Sequence, residues 1–521
     1  NLPADIFARF HRMVGNNVLM VSGSDQHGTP VTIRAKEENT SPEKIADKYH
    51  KIWSKTFQEL DFSFDLYTKT GTENHKEIVQ KLFISLNENG YLEEKYSEQP
   101  YSEKSQMFLS DRYIVGDCPH CNSRTKGDQC DSCGKDFEPI ELKNLKSTID
   151  DSEVTFKNTK HIYLKLPEFQ KSLNEWITSK SYWRSAVKNQ SLGFLSKGLI
   201  ERAITRDIDW GVEVPLKNYE EKRIYVWFEA VIGYLSASIE WAKSSNNLSQ
   251  NKELWKEWWI NPESKHFYFQ GKDNIPFHTI ILPAILMGAG EYNLPYDVVA
   301  NEYLNFSGKQ FSKSENWAVW VSDFLKEYDS ESLRYYLSSI MPESSDSDFT
   351  WDSFFDSNNN ELVATFGNLV NRIQSLIKSN FNNVVPQNKN LDEIDNNMIT
   401  DIKKSFESTG NFLEKRQFRN GLKEIMNLAK LGNRYIDQKE PWSTVKTNSQ
   451  LASNTLWVGA NLISNLGVLI APYLPKTSVK ISGMFNIKDN APEWKYREVK
   501  AGILIENIEP LFKKIEKENK S

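Results

Sequence analysis

Apolar positions follow a strand-like rhythm in the first half of this chain and a helical one in its later part. Near the start, Val18-Leu19-Met20-Val21-Ser22-Gly23 is a short β-prone run ending in a small-residue turn. It delivers Ser24-Asp25-Gln26-His27-Gly28-Thr29-Pro30, and the carboxyl end of a strand is where open α/β sheets keep their ligand sites. Residues 73–90 read as an amphipathic helix, with Ile78, Val79, Leu82, Phe83 and Leu86 on one face and Gly90 at the C-terminal stop. Strand patterns return at Arg223-Ile224-Tyr225-Val226-Trp227-Phe228 and at His266-Phe267-Tyr268-Phe269-Gln270-Gly271. The second leads into Lys272-Asp273 and a helix-like segment from Pro276. Residues 91–213 between them are irregular. The pattern predicts an α/β sheet interrupted by an inserted domain and then resumed.

After about residue 356 the period becomes 3.6. Leu362, Val363, Phe366, Leu369, Val370, Ile373, Leu376 and Ile377 form one stripe. A polar, Asn-rich connector (379–397) precedes further helices, marked by Phe418, Leu422, Ile425 and Ala429 and by residues 456–469. These predict an all-α bundle. The mixed-charge tail Phe512-Lys513-Lys514-Ile515-Glu516-Lys517-Glu518 reads as a frayed, solvated end. The domain boundaries expected are 1–90 with 214–300 for the split α/β domain, 91–213 for the insert, 301–355 for a linking region and 356–521 for the bundle.

Composition narrows the class. A chain of 521 residues is too long for one ordinary core. With 39% hydrophobic and 26% charged residues, a soluble, cytoplasmic protein is expected. The longest apolar stretch, near 280–286, is far short of the ~20 residues a membrane helix needs. A net charge of −6 argues against a basic surface wrapping duplex nucleic acid, though it permits a local basic stripe.

All 4 cysteines fall in Cys118-Pro119-His120-Cys121 and Cys130-Asp131-Ser132-Cys133-Gly134. Two such knuckles can converge four thiolates on one tetrahedral ion, with Zn–S distances of about 2.3 Å. Gly134 can take the positive φ that such a turn needs. Two disulfides or an iron–sulfur centre are the alternatives. Four protein ligands close the shell, so the zinc is expected to be structural. His120 reads as a bystander.

Phe306-Ser307-Gly308-Lys309-Gln310-Phe311-Ser312-Lys313-Ser314 resembles the KMSKS loop of class I aminoacyl-tRNA synthetases. Within that class, four segments resemble the methionyl-tRNA synthetase family. They are Gly23-Ser24-Asp25-Gln26-His27-Gly28-Thr29, Tyr225-Val226-Trp227-Phe228-Glu229-Ala230, Gly271-Lys272-Asp273-Asn274-Ile275-Pro276-Phe277-His278 and Asn433-Arg434-Tyr435-Ile436-Asp437-Gln438-Lys439-Glu440-Pro441-Trp442. The knuckle falls in the insert where that family carries its zinc. The resemblance implies a Rossmann-type parallel sheet with an inserted zinc-knuckle domain and a helical anticodon-binding bundle.

It also implies a chemistry. Methionine is activated with ATP, which brings Mg2+, and then passed to the 3′ end of initiator and elongator methionine tRNAs. Phosphoryl-type transfer asks mainly for positioning and charge stabilisation, so no Ser-His-Asp arrangement is required. By resemblance Lys313 is the catalytic cation on the departing phosphates, with Lys272, Asp273, Lys309, Ser312 and Ser314 also on ATP. Asp25 would pair with the substrate α-ammonium. Trp227, Ala230, Tyr234, Phe277 and His278 would shape the methionine pocket, because one methylene in an apolar pocket is worth only ~1–3 kcal/mol. Asn368, Arg372 and Trp442 would read the anticodon. His27 is read equally as a structural turn residue or part of the site. Departures from the family pattern are Gln310 in the loop, Val231 and Asn274 around the pocket, and Ala364 on the anticodon helix.

The family would place a HIGH motif and a first strand ahead of Leu2-Pro3-Ala4-Asp5, so the sequence is read as N-terminally incomplete. A monomer is expected. The alternatives are a class I synthetase for another amino acid and a non-catalytic tRNA-binding relative.

Overall fold

The structure is a computed structural model and describes all residues except 110–112, 127–129, 131, 134–136, 138, 245–252, 313–316, 488–491, 507–508 and 518–521. Gly134 therefore lies outside the described residues. The strand Val21–Ser24 pairs in parallel with Leu66–Lys69, Val21 opposite Leu66 and Ser24 opposite Lys69. The crossover between them includes the helix Pro42–Glu59, whose first turn is capped by Ser41 accepting from the Lys44 backbone N–H. A second parallel pair, Phe267–Gly271 with Asp297–Asn301, is joined through the almost wholly buried helix Leu282–Ala289. The expected helix at residues 73–90 runs Glu73–Glu88, and Gly90 takes φ +79° just beyond it.

The two parallel pairs share no ladder among the described residues. Their facing edges, with Phe7 and His11 of the helix Leu2–Met13, line a cavity of about 750 Å3.

The strand expected at residues 223–228 is corrected. Strand pairing ends at Ile224, because the partner Thr205–Arg206 offers two residues, and a helix runs Val226–Glu229. The N–H groups of Phe228 and Glu229 bond back to the Tyr225 carbonyl. The helical turn buries Phe228 and Glu229 on one side and leaves Trp227 exposed on the other, which strand alternation could not do.

Between the pairs, Leu92–Ser102 and Thr155–Leu164 form a long antiparallel ribbon, Leu92 opposite Leu164. It carries a small sheet in which Ile114–Asp117 lies between Arg124–Lys126 and Lys143–Ser147.

The later part is helical: Asn368–Phe381, Glu393–Glu414, Phe418–Lys439 and Ser449–Ile470 pack their apolar faces into one core. The tail is corrected from solvated to docked. Phe512 is buried, Asn358 donates to the Lys513 carbonyl, and Asn359 donates to the Ile515 carbonyl and accepts its N–H. Burial of Leu511 and Phe512 outweighs the solvation of their charged neighbours.

One buried cation fastens the two halves. Arg334 donates to Asp5 at 2.7 Å and to the carbonyls of Leu60, Pro472 and Tyr473. Both charged side chains are essentially solvent-free, at 1% and 0% exposure. Removing one partner of such a pair costs about 3–5 kcal/mol.

Candidate functional site

A cavity of about 800 Å3 opens at the carboxyl ends of both parallel pairs, and Asp25, Trp227, Ala230, Tyr234, Phe277 and His278 all line it. These are the residues expected to meet the amino acid, gathered from three separate stretches of chain. Asp25 leaves the strand Val21–Ser24, Tyr234 sits in the helix Gly233–Lys243, and Phe277 and His278 open the helical segment Phe277–Ile281. The Asp25 loop is fixed at its flanks. The Gln26 N–H donates to Thr70 Oγ1, the Trp210 indole donates to the Gln26 carbonyl, and the His27 N–H donates to Asp25. On the other wall Trp227 meets Phe277 edge-on at 4.9 Å.

The polar groups divide into a charged end and an uncharged end. Asp25 has solvent access through the cavity but is ringed by protein atoms, and this desolvation pushes its carboxyl up to about 6, with the charge of Glu229 raising it further and those of His27 and His75 opposing Glu229. Behind it Glu229 is wholly buried, one oxygen 3.0 Å from His27 Nδ1 and the other 2.5 Å from His75 Nε2. Burial alone would raise the Glu229 carboxyl, but the two histidines outweigh it and hold it low. Burial opposes the charge on His27, and its bond to Glu229 wins, leaving the imidazole raised.

At the other end His278 Nδ1 donates to the Asn274 carbonyl at 2.9 Å, so Nε2 is the acceptor for the Tyr234 hydroxyl at 2.9 Å. Burial depresses His278 to about 4 and lifts Tyr234 to about 12, so this pair is neutral at physiological pH. The cavity thus offers a single free carboxylate to an ammonium and an uncharged aromatic chamber to a side chain.

Glu229, His75 and Ser236 belong to the site's support and were not singled out from sequence. The available signal was a histidine on the buried face of the helix Glu73–Glu88 and a glutamate inside an apolar run. Polar residues on a buried stripe require partners. His27, left open by sequence, packs edge-on against Trp210 and bonds Glu229.

Around the cavity mouth, Lys272 is held by Glu302 at 2.6 Å and Asp346 at 3.2 Å and lies over the Tyr303 ring. Asp273 accepts from the Tyr303 hydroxyl at 2.6 Å. Lys309 faces the Trp317 ring at 5.6 Å, and Ser312 exchanges backbone bonds with Trp317. Lys313 and Ser314 lie outside the described residues.

The four cysteine sulfurs converge within 4.8 Å of one another. Cys118 and Cys133 sulfurs lie 3.9 Å apart and those of Cys121 and Cys130 3.5 Å apart, and all four cysteines are free of disulfides. A tetrahedron with 2.3 Å Zn–S bonds has edges of about 3.8 Å, so the spacing fits one ion. The His120 N–H points at Cys118 Sγ at 3.4 Å, a donor to the thiolate shell.

On the bundle, Arg372 and Trp442 meet: the guanidinium is 5.4 Å from the indole and pairs with Asp437 at 2.6 Å. Trp442 and Asn368 are exposed, Asn368 opening the helix Asn368–Phe381.

Comparison with known proteins follows this division. The family model described as class I tRNA synthetases (M) matches residues 1–374, and that of the anticodon binding domain of methionyl tRNA ligase matches residues 385–521. The methionine–tRNA ligase of Dehalococcoides mccartyi is 46% identical over 518 residues, 99% of this chain and 93% of that protein. That of Thermococcus kodakarensis is 42% identical over 528 residues, 99% of this chain and 71% of that protein. The fold resembles Mycobacterium tuberculosis methionyl-tRNA synthetase bound by methionyl-adenylate, with TM-score 0.82 and 21% identity, covering 98% of this chain and 95% of that one. With both halves matched in order and relatives this similar along its length, the chain belongs to the methionyl-tRNA synthetase family of class I tRNA synthetases.

Proposed function

We propose that the protein is a methionine–tRNA ligase whose amino-acid site is the cavity between Asp25 and the Tyr234–His278 pair. The carrying observation is that cavity: one free carboxylate at one end, a neutral aromatic chamber at the other. The Asp25 carboxylate receives the methionine α-ammonium, and Trp227, Ala230, Phe277 and the Tyr234–His278 pair enclose the thioether. A neutral histidine suits this task, since a charged group beside a thioether would be buried without a partner.

The methionine carboxylate oxygen attacks the α-phosphorus of ATP. The new O–P bond forms as the bond to the β-phosphate bridging oxygen breaks, and pyrophosphate leaves with that electron pair. The tRNA 3′-terminal hydroxyl then attacks the methionyl carbonyl and AMP departs. Lys272 and Asp273 stand at the cavity mouth for ribose and phosphates, and the loop bearing Lys309, Ser312, Lys313 and Ser314 supplies cations to the leaving charge. Mg2+ arrives with ATP.

Cys118, Cys121, Cys130 and Cys133 would hold one zinc, which orders the insert. Elemental analysis should find about one zinc per chain, lost on Cys130→Ser. Asn368, Arg372 and Trp442 form the anticodon surface, a stacking ring beside hydrogen-bonding side chains.

The deciding experiment is amino-acid-dependent ATP–pyrophosphate exchange by the full-length protein. Methionine should drive it. Exchange with isoleucine or leucine instead would replace the substrate assignment, and none with any amino acid would leave a tRNA-binding protein.

A further inference from the structure

The support behind Asp25 contains a second carboxylate, Glu229, which is fully buried and acts on Asp25 through its charge. Two neighbouring carboxylates, one of them fully buried, do not both ionise freely, and the usual outcome is that one is forced to stay protonated. If that one were Asp25, the clamp for the α-ammonium would be disarmed. The hydrogen-bond inventory shows how this is avoided.

Ser236 Oγ lies 2.8 Å from His75 Nδ1 and gives its only proton to the Gly233 carbonyl at 3.1 Å. With the hydroxyl proton committed to Gly233, whose carbonyl can only accept, Ser236 accepts at His75 and Nδ1 carries a hydrogen. The opposite ring nitrogen, Nε2, sits 2.5 Å from Glu229 Oε2, a contact that requires one proton between the two atoms. Whichever atom holds it, the His75–Glu229 pair carries no net charge. His27 Nδ1 lies 3.0 Å from the other Glu229 oxygen.

We infer that His75 is the charge-balancing, positioning residue of the ammonium clamp: it holds a proton against Glu229, so Asp25 is the one carboxylate free to meet the substrate. His75, on the helix Glu73–Glu88, is 1% exposed at the cavity lining and acts through its bond to Glu229. Among the described residues, Asp25, His27 and Glu229 act on one another, and Glu213, which acts on His27, pairs with Lys76 at 3.0 Å. The other charged residues lining the cavity are paired, Lys69 with Asp47 at 2.6 Å and Glu302 with Lys272 at 2.6 Å. The role rests on the assignment of Asp25 to the α-ammonium made above.

The test is the pH dependence of kcat/KM for methionine in pyrophosphate exchange by the full-length protein, with three variants. His75→Gln keeps an amide donor toward Glu229 but removes the balancing proton. Its acid limb should move up by about 1 pH unit, an effect of about 5-fold at pH 6 and about 2-fold at pH 7. kcat at saturating methionine should stay within about twofold of the parent. Adding Glu229→Gln removes the charge that needed balancing, so the double variant should return the limb to the parental position. A purely structural histidine would lower thermal stability without moving the limb, and a second core substitution would not restore it. An unmoved limb in His75→Gln, or a shift that Glu229→Gln fails to reverse, would overturn the inference. Should His75→Gln not fold, Glu229→Gln alone decides: a parental limb supports the neutral pair, whereas a fall of about one unit would mean that Glu229 is freely charged. A parent protein without methionine-dependent exchange would sink the underlying substrate assignment, and is told apart because it fails before any substitution.

Discussion

The cavity proposed for the amino acid and the bundle surface proposed for the anticodon use similar side chains in opposite settings. In the cavity wall, Glu229 is solvent-free and both its oxygens are bonded to buried histidines. On the bundle, Arg372 meets Asp437 at the same kind of distance, 2.6 Å, but their side chains are 27% and 61% exposed. The first arrangement is prebuilt, and the bonds from its two histidines outweigh desolvation in holding Glu229 low. The second is screened by water, can open without leaving a buried charge, and is suited to a surface that must exchange internal partners for RNA bases. Rigidity lies at the cavity proposed to measure a small amino acid, and accessibility at the surface proposed to meet a large, single-stranded loop.

That contrast can be broken most severely at Asp25. Asp25→Asn should lower kcat/KM for methionine by about 100-fold or more, since a desolvated charge partner is worth about 3–5 kcal/mol, while tRNA affinity measured by filter binding stays unchanged. Comparable losses in both assays would mean that Asp25 maintains the fold rather than the pocket. The reverse case is Trp442→Ala. Base stacking is worth about 1–3 kcal/mol, so tRNA charging should fall by about 5-fold to 150-fold with pyrophosphate exchange preserved.

A pH series sharpens the same comparison. Asp25 titrates at about 6, raised by desolvation and then by Glu229, and only its ionised form attracts the α-ammonium. kcat/KM for methionine should therefore fall as pH drops through about 6, reaching about one-tenth of its neutral value near pH 5. tRNA binding, which does not depend on this carboxylate, should show no parallel limb there. The smallest effect belongs to the exposed pair: Asp437→Asn should change unfolding free energy by less than about 1 kcal/mol, read by chemical denaturation. A loss of several kcal/mol would show that the bundle surface is as tightly built as the pocket.

Much of the molecule was legible in the chain because local pattern and local chemistry agreed. The helix Glu73–Glu88 and the bundle helices follow their apolar stripes, and the paired cysteines meet as their spacing predicts. Other features resisted. The β-prone run after Ile224 becomes a helical turn because its pairing partner ends, and the charged tail docks because Leu511 and Phe512 find a core. Neither is a property of the segment alone.

The sequence by itself determined which chemistry was available: a knuckle of four thiols, a strand-end carboxylate, a Ser/Lys loop and an aromatic set, each carried by short-range spacing. Only the tertiary structure decided which of these groups are charged. Asp25 and Glu229 are both ordinary carboxylic acids in the chain, about 200 residues apart as any contact between remote segments requires a fold to form it. Their different states follow from desolvation and from His75 and His27 arriving beside one of them, and those energies exist only when distant side chains share one dry wall.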